Sequence, residues 1–566
     1  MSARTRHAIV AALGLGASLI LLLHQQVGHL DSVPDLGDPL FSVWRIGWVN
    51  HQLFTDPRHL FDANIFYPER LTLTLSDPIV LPALMAAPLL AAGVHPVVAY
   101  NLLLLSAFWF SGIAVYLLVE RLTASPRAAF IAGLIYACCG YRFEHYSHLE
   151  LQMTQWMPLG LLALHLLIGR GPGSGSPKSV GGSQDWRRWW YALAFAAVLA
   201  AQLYSSMYYA VFFVVYAALI GVGLLIVHRP SIRRLALPLV VSAAIAVIAA
   251  VPLVRAFVAA EPIKGERSEG EVRLYSAVPD DYLRVHRDSL LWRNVLHRPA
   301  PERTLFPGAA PFTLAVVGMV PPLGAIRLIY TAGLLLSFDG TLGLNGVSYP
   351  FFYRWLSPFR GLRAPARFGA LVALTLAILA GFGAQRALAW RPSRRYQHAA
   401  FAVLVAFVMI DAWPALSVGP VWKEPPSIYD ALKYTPSVVI AEMPLLDNET
   451  ANIPFMYFSL WHWTRMVNGY SGFIPNSYAE FRKGMVFFPD ASSIATLRRL
   501  GVTYVSVNCG LHYPGCHELI DAMRKDTRLR LAADTQWNED TVQLYEVLAP
   551  DPTQVRAPSG SLPFTQ

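Results

Sequence analysis

"VAYNLLLLSAFWFSGIAVYLLV" (Val98–Val119) carries no acidic or basic residue. A soluble helix cannot be apolar on every face, and a bilayer-spanning helix needs ~20 such residues. This stretch is therefore read as a membrane span. Similar runs recur along the chain: Ala8–Leu23, Leu151–Ile168, Trp189–Ser206, Met207–Val227, Leu235–Val254, Phe368–Gln385 and Ala399–Leu416. Ala128–Tyr141 is a shorter run, and Ile79–Gly93 reads as a helix lying in the interface. Ala8–Leu23 follows Arg4 and Arg6 and lacks an A-x-A-like cleavage site, so it reads as a retained first span with its N-terminus inside. Composition agrees. The 566 residues are 55% hydrophobic and 14% charged, with a mean hydropathy of +0.41. Soluble domains carry about 25% charged residues.

Charge sets the expected orientation. Basic loops hold Arg121 and Arg127; Arg170, Lys178, Arg187 and Arg188; Arg229, Arg233 and Arg234; and Arg386, Arg391, Arg394 and Arg395. Their only acids are Glu120 and Asp185. The first loop, residues 25–78, is acidic: Asp31, Asp35, Asp38, Asp56, Asp62, Glu69 and Asp77 oppose Arg45, Arg58 and Arg70. The positive-inside rule places the basic loops in the cytoplasm and the acidic loop outside. The net charge of +9 is explained by those basic loops, so no nucleic-acid partner is expected. The Gly/Ser-rich stretch 169–188 reads as a flexible linker.

Pro311–Ser337 is the difficult stretch, because each half is short for a span. A single crossing would put the Arg391 loop outside, against the charge rule. Two crossings, or a dip and return with Arg327 at an inner turn, keep it inside. The even count is preferred, giving about ten or eleven membrane helices at ~20 residues each.

The chain changes character after residue 422. "SVVIAEMPL", "SSIATLRRLG", "VTYVSVN" and "HELIDAMRK" alternate strand and helix, and "LRLAADTQWNEDTVQLYEVL" reads as a closing hairpin. Residues 1–422 thus form a multi-span membrane domain, with an outer loop 25–78 and an outer segment 255–307. Residues 423–566 form a soluble extracytoplasmic α/β domain. Cys138 and Cys139 lie in an apolar run and read as packing residues. Cys509 and Cys516 flank a short loop and are either a disulfide or free thiols.

"GDPLFSVW" (37–44), "FDANIFYP" (61–68), "HLELQMTQWMPLGLL" (148–162), "LRAPARFGALVAL" (362–374) and "LRRLGVTYVSV" (497–507) sit within this order of spans and loops. With a first outer loop bearing an early Asp and interfacial helices, the chain resembles the GT-C superfamily of polytopic glycosyltransferases. It is similar in particular to bacterial members of the YfhO-like or uncharacterised GT-C type. The resemblance implies inverting sugar transfer from a polyprenyl-phosphate donor to a cell-envelope glycan or lipid acceptor, at the outer face of the cytoplasmic membrane. A carboxylate of the first outer loop acts as general base, and cations or a metal receive the leaving phosphate.

Asp38 is the first candidate base and Asp35 the second. The competing reading is a helix start, since Asp38-Pro39 is a capping pair and Asp77-Pro78 repeats it before the interfacial helix. In "YRFEHYSHLE", Glu144 and His148 are four apart and would share a helix face. Arg142, Glu144 and His148 are candidate substrate or phosphate ligands. Glu144 or Glu150 could join Asp38 around a divalent cation, Mg or Mn. E-H-x-x-H is not the zinc-protease H-E-x-x-H. In "FRGLRAPARF", Arg363 and Arg367 would share a face and, with Arg360, suit phosphate. Lys264 and Arg267 are weaker candidates among glutamates. "WHWTRMVNGYSGF" (461–473) offers aromatics for stacking or for packing. No Walker A, dinucleotide, haem or nucleophile-elbow motif occurs. The reading from a different class is a non-catalytic transporter or assembly subunit for envelope polysaccharide, which would bury ionisable groups mid-membrane in repeated halves.

Overall fold

The computed structural model describes residues 2–169, 185–264, 267–391, 393–433 and 438–549. The bulk of the Gly/Ser linker, with Arg170 and Lys178, lies outside the described residues, as does Glu266. Two compact units are present. One comprises Met1–Asn50, Asp77–Glu261 and Gly265–Val421; the other comprises His51–Ser76, Pro262–Lys264 and Trp422–Gln566. The long first loop is therefore divided between them.

In the first unit the helices are α1 (Ala3–Leu22), α2 (Asp38–Thr55, whose last turn enters the second unit), α3 (Val80–Ala91), α4 (Pro96–Thr123), α5 (Pro126–Ala137), α6 (Trp156–Ile168), α7 (Asp185–Ser205), α8 (Met207–His228), α9 (Ile232–Ala259), α10 (Ala309–Gly318), α11 (Ala325–Leu342), α12 (Gly369–Ala389) and α13 (Arg394–Asp411). Among the described residues, seven helices are long and apolar enough to cross a membrane. This is fewer than the ten or eleven expected. α5 and α10 have only 12 and 10 residues, which at 1.5 Å per residue fall well short of a ~30 Å core. α13 carries three charges, and aromatic and amide residues dilute α7.

Local chemistry sets the boundaries. α5 starts with Ser125 accepting from the Ala128 amide and Pro126 in the first turn. Small residues let helices touch. A Cβ on Gly133 of α5 would sit 2.6 Å from the Gly112 carbonyl of α4, and one on Gly383 of α12 would overlap the Leu314 carbonyl of α10. α12 is buried nearly throughout and forms the centre, while α9 is mostly exposed and apolar. Pro311–Ser337 resolves into α10 and α11, two helices joined by a turn. Arg327 donates to the Gly318 and Pro322 carbonyls at 2.9 and 2.7 Å, and Arg386 donates to the Pro321 carbonyl at 2.7 Å, satisfying helix-end acceptors.

The second unit holds a five-stranded sheet: β1 (Val439–Met443), β2 (Arg465–Met466), β3 (Tyr504–Asn508), β4 (Leu529–Trp537) and β5 (Asp540–Val547), in the order β2-β1-β3-β5-β4. The β1 pairs with β2 and β3 are parallel, and β5 pairs antiparallel with β3 and β4. Helices α14 (Ala491–Arg499) and α15 (Cys516–Lys525) flank β3 in sequence, as the α/β alternation predicts. Cys509 and Cys516 form a disulfide; Cys138 and Cys139 are free and buried.

Candidate active site

The polar residues of the first unit collect where chain irregularity interrupts the helices. α5 ends at Ala137. A short helix, Gly140–Glu144, then a turn, then Leu149–Gln152 lead to α6. This broken connection presents polar groups that an uninterrupted span would have to bury.

Asp38 lies in the first turn of α2, which begins with the Phe41 amide donating to the Gly37 carbonyl at 3.0 Å. Its Oδ2 is 3.6 Å from His148 Nδ1, and its side chain is 31% exposed. Asp35 is committed differently. One oxygen accepts from the Gly37 amide at 2.9 Å and the other from Ser147 Oγ at 2.6 Å. Asp35 thus shapes the turn before α2, while Asp38 keeps an accessible carboxylate.

Beneath the Asp38–His148 pair is a buried ion pair. Arg45, 1% exposed, donates to Glu150 Oε2 at 2.8 Å, to the Asp77 carbonyl at 2.8 Å and to Ser42 Oγ at 2.9 Å. Glu150 Oε1 is 4.0 Å from His148 Nδ1. Asp77 is not the cap of α3, because Ile79 precedes that helix. It caps α8 instead, accepting from the Met207 amide at 3.1 Å and Ser206 Oγ at 3.3 Å. Burial, then the charge of Glu150, pushes the Asp77 carboxyl up to about 6.

Several expectations change. Glu144 and His148 do not share a helix face: Glu144 ends one short helix and His148 precedes the next. Burial pushes the Glu144 carboxyl up to about 7, with a hydrogen bond to Thr304 opposing. Arg142 is 2% exposed. It donates to Gln152 Oε1 at 3.1 Å, the Gln152 carbonyl at 3.0 Å and Thr154 Oγ1 at 3.3 Å, with its guanidinium over Phe108. Those bonds tie the broken connection together and commit the Arg142 guanidinium to protein acceptors. Among the described residues, Asp38, Glu144 and Glu150 do not bring three oxygens within 4.8 Å of one another, and Glu150 Oε2 accepts from Arg45.

Arg363 and Arg367 are joined by an acid rather than by a helix face. Glu302 takes Arg367 through two oxygens, one of them from Nε at 2.8 Å, and lies 3.9 Å from Arg363 Nη2. Arg367 is buried, with its guanidinium over Tyr208; Arg363 is 31% exposed and 5.5 Å from the Tyr275 ring. Burial raises the Glu302 carboxyl, but the charge and hydrogen bonds of Arg367, with a smaller contribution from His148, hold it well below the usual carboxylate range. That coupling places the arginine cluster within electrostatic reach of His148. His145 is buried, and desolvation lowers it to about 3, so it is neutral. Arg360 stands apart, donating to the Tyr353 and Arg354 carbonyls at 3.4 and 3.1 Å. Arg267 is paired to Glu271 at 2.9 Å, and Lys264 falls in the second unit.

The sequence missed Glu302, Arg45 and Tyr208. Arg45 had a local signal, a lone cation within the apolar "LFSVWRIGWV". Glu302 had none; its partner is 65 residues away.

Residues 47–294 match the model of a domain of unknown function, DUF6311. No curated protein matches the chain in sequence. Among solved structures, ArnT from Cupriavidus metallidurans in the apo state matches with a TM-score of 0.50, over 97% of this chain and 100% of that one, at 13% identity. The chain has a GT-C fold. At that identity the likeness is one of architecture alone.

Proposed function

We propose that this GT-C protein is an inverting glycosyltransferase of the cytoplasmic membrane. It moves a sugar from a polyprenyl-phosphate donor to a hydroxyl of a cell-envelope glycan or lipid on the outer face, with the N-terminus inside and the sheet domain outside. The fold supports the reaction class, the acidic first loop supports the orientation, and the quoted sequence stretches support the YfhO-like type. One observation carries the mechanism: Asp38 offers a part-exposed carboxylate beside His148, while Asp35, Glu150 and Glu302 are each committed to other partners.

Asp38 takes the proton of the acceptor hydroxyl as its oxygen attacks the anomeric carbon. The new C–O bond forms on the face opposite the leaving group, the bond to the phosphate oxygen breaks, and its electron pair stays with the phosphate. Arg363, incompletely neutralised by Glu302 at 3.9 Å, receives that charge. His148 orients the Asp38 carboxylate. No step is routed through a metal ion.

The test is transfer from radiolabelled polyprenyl-phosphate sugars by purified protein in lipid, native against Asp38→Asn. Asn keeps the helix start but cannot take a proton. Transfer lost in a folded variant supports the assignment. Full transfer by Asp38→Asn removes Asp38 as base, and absence of turnover by the native protein across the donor panel points to the transporter or assembly reading.

A further inference from the structure

The end of the first unit remote from Asp38 holds a second candidate site. α1 has 20 residues, about 30 Å of helix. Asp35 and Asp38 follow its C-terminal end, whereas Arg4, Arg6 and His7 occupy its first turns. At that N-terminal end, α1, α5, the α4–α5 turn and α13 enclose a groove of about 700 Å3. Val10, Phe130 and Phe401 give it an apolar wall, with the two phenylalanine rings edge to face at 5.6 Å. His7, Arg127 and His398 form its polar mouth.

The mouth is built for negative charge. Arg127 donates to Gln397 Oε1 at 3.1 Å and lies 3.4 Å from His398 Nε2. Among the described residues no carboxylate pairs with it. The neighbouring acid, Glu120, is already held by Arg4. Arg6, Arg121, Arg394 and Arg395 add cations to the same helix ends. The apolar wall continues onto the exposed side of α1, where Val10 and Leu13 are each 68% exposed, a surface that suits acyl chains.

We propose that this groove binds an anionic phospholipid, its phosphate headgroup at Arg127 and one acyl chain along Val10, Phe130 and Phe401. A basic mouth above an apolar cleft between membrane helices is the arrangement that retains such lipids, each nearby cation adding attraction. The site is independent of the proposed transfer chemistry.

The test is native mass spectrometry of the full chain in detergent, loaded with phosphatidylglycerol or phosphatidylcholine. Phosphatidylglycerol is expected to be retained about tenfold more than phosphatidylcholine, and Arg127→Gln is expected to erase that preference, as loss of one charge-assisted contact predicts. Val10→Trp keeps the charges, changes an exposed residue and fills the groove; it should reduce retention of both lipids. Equal retention of the two lipids by the native chain overturns the proposal. So does a preference that survives both substitutions. Displacement of the lipid by millimolar inorganic phosphate would make the site one for free anions and overturn the lipid assignment.

Discussion

Glu442 sits fully buried in the middle of β1. Tyr429 OH donates to its Oε2 at 3.0 Å, Ser506 Oγ donates to the same oxygen, and Oε1 has no hydrogen-bond partner among the described residues. Burial pushes its carboxyl up to about 7 from an ordinary 4.5, with Ser506 and Tyr429 opposing. The folded form therefore holds its proton across a range in which the unfolded chain has lost it. The contribution of Glu442 to stability is constant below pH 4.5, falls by about 1.4 kcal/mol per pH unit up to pH 7, and then levels off, a total of about 3 kcal/mol. Glu442→Gln removes this dependence. Gln can still accept from Tyr429 and Ser506, and its amide nitrogen stands where the protonated acid has its hydroxyl, so the variant should match the native protein near pH 5. Near pH 8 it should be more stable by about 2–3 kcal/mol, the linkage total less a small mismatch. Hydrogen exchange of the β1 and β3 amides in the full-length protein, corrected for intrinsic rates, reads both quantities. Identical pH profiles for native and variant would refute the assignment of a neutral, titrating Glu442.

Three further expectations concern the first unit. Gly383→Ala forces a Cβ into the Leu314 carbonyl of α10, and should cost about 1–3 kcal/mol by overpacking, seen as a lower midpoint in thermal unfolding; an unchanged midpoint would show that α10 and α12 can separate freely. Arg45→Met leaves Glu150 buried without its partner and should cost about 3–5 kcal/mol, while Arg45→Met with Glu150→Leu should recover much of that loss; equal melting of the single and double variants would deny the pairing. Arg363→Gln should lower the transfer rate constant about a hundredfold with a smaller effect on donor affinity, as expected for a cation whose benefit grows with charge on the leaving phosphate; loss confined to donor affinity would make Arg363 a binding residue only.

The spans were legible because a bilayer makes composition decisive: α4, α8 and α9 need no partner to identify them, since each holds an uncharged run of about twenty residues. The sheet domain was legible because β1 and β3 are short apolar runs bounded by helices with their own amphipathic pattern. α10 and α11 were harder. Each half of Pro311–Ser337 lacks the length of an independent span; the short α10 is held by close packing of Gly318 and Gly383 against facing backbone and by Asp411, which accepts from the Ala309 and Ala310 amides. The candidate site divides in the same way. Asp38 could be marked from sequence because its helix start is local. The helix face proposed for Glu144 and His148 failed because the chain breaks after Glu144, a break set by Arg142 bonding forward to Gln152 and Thr154 rather than by a residue that disfavours helix. Glu302 shows the limit most plainly. Nothing near it in "PERTLFP" distinguishes it from a solvated acid; its role exists only once Arg367 is brought beside it from the turn just before α12. A carboxylate that must leave Arg363 incompletely neutralised has to be defined by two distant arginines at different distances, 3.9 Å for one and direct contact for the other. In the proposed reaction that inequality leaves one cation for the leaving phosphate, and it is a property of the fold that no sequence window contains.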